Sequence, residues 1–248
     1  MEHLESPRAR ASSGPAACVL ALAGFACITP KDKIEGDDRA PILPGARVSV
    51  DLLPSKHEAV AAAPANEFHL LLDLQADYGE GDFTQVVTPP SQISLGGTGF
   101  SGNVDVDFAL LTAAVDVRAS GRFANGLGVD GFVGVGVADL DIELSQGAVS
   151  DQEDVTTFGP LVGAGVSYAP IERVRVYGEG RLSYGFGSST EGVDVRTWEA
   201  GLEFELAPHA ALAGGWRQVL YEAEFDDLLF SDIELDLSGP FVALRVTL

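Results

Sequence analysis

Any chemistry this chain performs must come from carboxylates and guanidiniums. Asp73, Asp77, Asp116, Asp130, Glu179, Glu199, Glu203 and Glu205 sit at alternate positions of otherwise apolar or small-residue segments, as do Arg118, Arg175, Arg181, Arg217 and Arg245. A carboxylate taken out of water needs a partner, and arginine supplies a bidentate one. The pattern therefore predicts an ion-pair network filling the inside of a closed sheet. In this set the acids outnumber the arginines, so a pore through it would prefer cations.

Other chemistries lack their parts. Nucleophilic catalysis needs a nucleophile, a base and a group that orients the base. Beyond the N-terminal segment the only histidines are His57, His69 and His209, and there is no Gly-x-Ser-x-Gly elbow. His69 falls on the inward parity of its segment and is expected to be a hydrogen-bonded interior histidine. No His/Cys spacing suits a metal. Gly131, Gly134, Gly136, Gly163 and Gly165 are not followed by a helical pattern, so they do not form a phosphate loop. The expectation is a protein without enzymatic activity, metal or cofactor.

The 248 residues carry a formal net charge of −22, and 46% are hydrophobic. Such a charge argues against nucleic acid, whose phosphates call for Lys and Arg, and against simple adhesion to anionic lipid. Past the N-terminus no apolar run reaches the roughly 18 residues a membrane helix needs.

Eight segments instead alternate with period two, as strands between two different environments must. They cover 67–79, 105–120, 127–144, 157–169, 174–187, 193–206, 210–225 and 233–248. In the first, Phe68, Leu70, Leu72, Leu74, Ala76 and Tyr78 share one face. The apolar parity flips within the second, third and eighth segments, which suggests bulges near Ala109, Ala138 and Pro240. The apolar faces carry almost no charge. The reading is all-β: an eight-stranded antiparallel transmembrane up-and-down β-barrel.

The connections support an orientation. The first (80–103), third (145–155), fifth (188–192) and seventh (226–232) are generally longer and more acidic than the second, fourth and sixth. Transmembrane barrels have short periplasmic turns and longer outer loops, so the odd connections are expected outside.

Three domains are expected. Residues 1–26 read as a signal peptide, with Arg8 and Arg10 before the apolar run 16–28. Cleavage before Cys27 would place a cysteine at the new N-terminus, where it could be lipidated. Residues 27–65, punctuated by Pro30, Pro41, Pro44, Pro54 and Pro64, read as a periplasmic tether outside the sheet. That includes the short alternating run at 47–53. Residues 66–248 read as the barrel.

From residue 66 onward the chain resembles the small outer-membrane β-barrel proteins of the OmpA/OmpX and opacity type. The resemblance rests on the strand pattern and on the C-terminal segment 239–248 (GPFVALRVTL), which is similar to the signal read by the barrel-assembly machinery. It implies a cell outer-membrane location, and as partners the outer-membrane lipids, lipopolysaccharide and that machinery, with a surface ligand left open. The implied role is structural or surface-interacting, with a largely closed lumen. A small cation-preferring channel and a lipid-modifying enzyme are the alternatives.

Overall fold

A computed structural model describes residues 33–38, 43–52, 67–88, 91–171, 173–187, 192–207, 209–225 and 231–248. The expected signal peptide, Cys27 and His57 lie outside these residues. The described chain is all-β, with strands β1 (Ile34–Asp38), β2 (Leu43–Asp51), β3 (Glu67–Val87), β4 (Ile93–Leu95), β5 (Thr98–Phe100), β6 (Gly102–Arg122), β7 (Leu127–Gln146), β8 (Val149–Ile171), β9 (Val174–Gly187), β10 (Gly192–Ala207), β11 (Ala210–Glu224) and β12 (Ile233–Thr247).

From β3 through β6 to β12, each large strand pairs antiparallel with the next. The sheet then closes through β2, which is antiparallel to β3 and parallel to β12. Among the described residues the ring therefore holds nine strands in a mixed sheet, not the expected eight in an antiparallel one. β1 runs parallel to β12 farther along the same edge. The stretch read as a tether outside the sheet thus supplies both β1 and β2. β2 has the alternation a ring strand needs: Arg47 is buried, while Pro44 and Ala46 are exposed.

The strands are longer than their sequence patterns suggested. The third connection, expected at 145–155, is almost entirely strand, and Gly147 (φ 65°) takes the positive φ needed in the tight turn from β7 to β8. The first connection is shortened from both ends. What remains holds the β4–β5 hairpin, whose turn glycines Gly96 and Gly97 both have positive φ.

The expected bulges near Ala109, Ala138 and Pro240 are absent. The registers run unbroken through all three positions. What inverts there is the chemistry of the two faces. On β7, Val133, Val135 and Val137 are exposed and Gly134 and Gly136 point inward. Farther along the same unbroken alternation, Asp139 and Asp141 are exposed while Leu140, Ile142 and Leu144 are fully buried. β6 changes between Leu111 and Asp107, and β12 between Val242 and Asp236. The closed sheet is thus two zones end to end. One is apolar outside and polar inside; the other is acidic outside and apolar inside.

The second zone has a dry core. Val104, Val106, Leu140, Ile142, Leu144, Tyr221, Ile233 and Leu235 fill it. The β4–β5 hairpin adds Ile93, Leu95 and Phe100, all buried. Its seat is fixed by Ser231, whose N–H donates to the Ser94 carbonyl at 2.9 Å and whose hydroxyl accepts from the Ser94 N–H at 3.0 Å.

Candidate functional site

In the other zone, inward parity brings charged residues of seven strands together. Arg118 on β6 donates through Nε to Asp73 on β3 at 2.7 Å and through Nη1 to Glu179 on β9 at 2.7 Å. Arg181, also on β9, donates to the same Glu179 at 2.8 Å. Arg217 on β11 reaches Asp77 at 2.6 Å and Glu199 on β10 at 2.7 Å. Arg245 on β12 joins Glu199, at 2.9 Å, to Glu203, at 2.6 Å. Arg175 donates to Glu203 at 2.6 Å.

Aromatic rings complete the packing. Phe132 lies 4.2 Å under the Arg118 guanidinium, Phe241 lies 4.6 Å under Arg217, and Tyr177 lies 4.2 Å under Arg245. A delocalised guanidinium stacks on a ring face while its edges keep their hydrogen bonds.

Three expected members stand apart. Asp116 is 2% exposed, yet neither of its carboxylate oxygens has a hydrogen-bond partner. Asp130 and the exposed Glu205 line a cavity beneath the network rather than joining it.

One charged member was missed. Arg47 on β2 donates to Gln75 at 2.9 Å and to Glu179 at 2.8 Å, and lies 3.9 Å from Glu199. It ties the Glu179 cluster to the Glu199 cluster. The signal for it was present, because residues 47–51 do alternate; the assignment to a tether concealed it. With Arg47, the six guanidiniums of Arg47, Arg118, Arg175, Arg181, Arg217 and Arg245 face five hydrogen-bonded carboxylates. The expected acidic excess is therefore not a property of the bonded network.

The closing strand also leaves space where the network needs it. A Cβ at Gly45 would collide with the Asp77 carboxylate, and it would approach the Arg217 guanidinium at 3.1 Å.

Two spaces flank the network. One of about 30 Å³ lies toward the apolar core, between Gln75, Thr112, Thr157 and Thr197. The other, about 570 Å³, opens at the end where β3 begins and β12 ends. His69 lies on its wall, 3.0 Å from Asp51, and His209 stands at its mouth. Among the described residues no cluster of His, Cys, Asp and Glu is placed to hold a metal, and no helix is long and apolar enough to cross a membrane.

The chain matches no family model, no curated protein and no solved structure.

Proposed function

We propose that the chain is an integral outer-membrane β-barrel with a closed lumen, serving a structural or surface-interaction role. The apolar rows on the outside of the polar-lined zone carry this reading. Phe68 to Tyr78, Leu127 to Val137 and Phe158 to Tyr168 each span ten residue steps. At about 3.4 Å per residue and a tilt of roughly 40°, ten steps rise about 26 Å, the height of the apolar band of an outer-membrane barrel. Val133 is 62% exposed and Phe158 65% exposed, far more apolar surface than a water-facing sheet would carry. Tyr78, Trp198 and Trp216 stand where the outer rows turn polar, as in an aromatic girdle.

The barrel of this reading has nine strands, the eight antiparallel ones of the sequence pattern plus β2. The acidic zone projects beyond the lipid on the outer side. The ion-pair network and the apolar core both stand in the way of solute, which favours a closed lumen over a channel.

Membrane fractionation with a heat-modifiability gel tests the placement. The protein should stay with membranes through a carbonate wash and run compact until boiled. Release by carbonate would end the membrane reading. Reconstitution in a planar bilayer tests the lumen: no stable conductance is expected, and sustained opening would contradict closure.

A further inference from the structure

The 570 Å³ cavity has the form of a cup, open where β3 begins and β12 ends and walled off above by the ion-pair network and the apolar core. Its volume lies in the range of small-molecule pockets. Its walls are chemically unequal. On one side Arg175 and Arg245 both donate to a single oxygen of Glu203, each at 2.6 Å. Two guanidiniums on one acceptor leave donors in surplus, and the Nε of Arg175 and the Nε of Arg245 are buried without partners. Tyr177 lies under the Arg245 guanidinium, 7% exposed, and its hydroxyl also lacks a partner. Asp73, also on the wall, uses one oxygen for Arg118, and its other oxygen has no donor.

We propose that this cup binds a small solute carrying a carboxylate or phosphate at one end and hydroxyl or amine donors at the other. The anionic group meets Arg175, Tyr177 and Arg245; the donors meet Asp73. Charge-assisted hydrogen bonds to guanidinium are the strong kind, and a second polar end sets orientation. Of the wall carboxylates, Glu179 and Glu203 already accept from arginine, and the tetramethylammonium probe below tests whether Asp130 and Glu205 draw a cation instead. The inference rests on the cavity alone and not on the membrane placement.

The test is a titration of refolded full-length protein, its tyrosine rings labelled for NMR. The probes are gluconate, glycerol 3-phosphate, glycerol and tetramethylammonium chloride. Gluconate or glycerol 3-phosphate should shift the Tyr177 ring signal saturably and leave that of Tyr184, on the outer face, in place; which of the two binds tighter separates a carboxylate from a phosphate ligand. Arg175→Gln should weaken binding by about tenfold or more. Tyr177→Phe, read by calorimetry, should weaken it about fivefold while keeping the ring beneath Arg245. No saturable shift with either anion, an equal shift with glycerol or tetramethylammonium, or unchanged affinity in both variants would overturn the proposal. Because the signal is read on folded protein, its failure leaves the membrane reading standing, and carbonate extraction leaves the cup standing.

Discussion

Arg47 Nη2 donates to Glu179 Oε1 at 2.8 Å, across 132 residues of chain. The bond binds the N-terminal strand β2 into the interior, opposite β9. It makes Arg47 the link between carboxylates that would otherwise share fewer guanidiniums.

Arg47→Ala should therefore be costly. Removing one partner of a buried ion pair typically costs about 3–5 kcal/mol, since the remaining charge is stranded. Urea unfolding of the refolded protein measures the loss. A variant within about 0.5 kcal/mol of the parent would show that the network does not depend on β2.

Asp116 and Asp73 face each other directly across β3 and β6, but only Asp73 receives a hydrogen bond from Arg118. Asp116→Asn should leave stability unchanged or raise it by about 1–3 kcal/mol, because it removes a buried charge that no hydrogen bond satisfies. Asp73→Asn should lower it. Equal losses in the two variants would refute the distinction.

Under the proposed membrane placement, the inversion along β7 marks the lipid boundary. Fluorophores on single cysteines at Val133, Val135 and Val137 should be quenched by brominated lipid. The same label at Asp139, Asp141 and Glu143 should not be. Quenching that continues past residue 139 would move the boundary and undo the two-zone description.

Leu140 is fully buried in the dry zone. Leu140→Ala should cost about 2–5 kcal/mol through lost burial and the cavity left behind. Val135→Ala, on the outer row of the same strand, should cost much less. Equal losses in denaturant melts would mean that Leu140 does not face a packed core.

The outer rows were legible in the sequence because period two belongs to the backbone itself. Phe68, Leu74 and Tyr78 all lie exposed, as their spacing required. The inversion was visible but misassigned. A bulge and a change of surroundings write the same letters, and only the register separates them. Membership of the interior set followed from parity, whereas its pairings did not: Asp77 and Arg217 are 140 residues apart. β2 was lost for a related reason. Its residues alternate, but its proline-rich surroundings suggested a linker, and its parallel partner is the last strand of the chain.

That partnership sets an order of events. Among the described strands β2 is second in chain order, yet one of its two neighbours, β12, is the twelfth. The ring cannot be sealed until β12 is present, and this closing pairing joins ring strands far apart in sequence, the kind of contact that is slow to find. A chain cut short before β12 would keep two raw edges, on β2 and on its last complete strand, and edges of that kind invite wrong partners. The parallel seam thus ties closure to two segments far apart in sequence: only a molecule that holds both β2 and β12 can hide its margins.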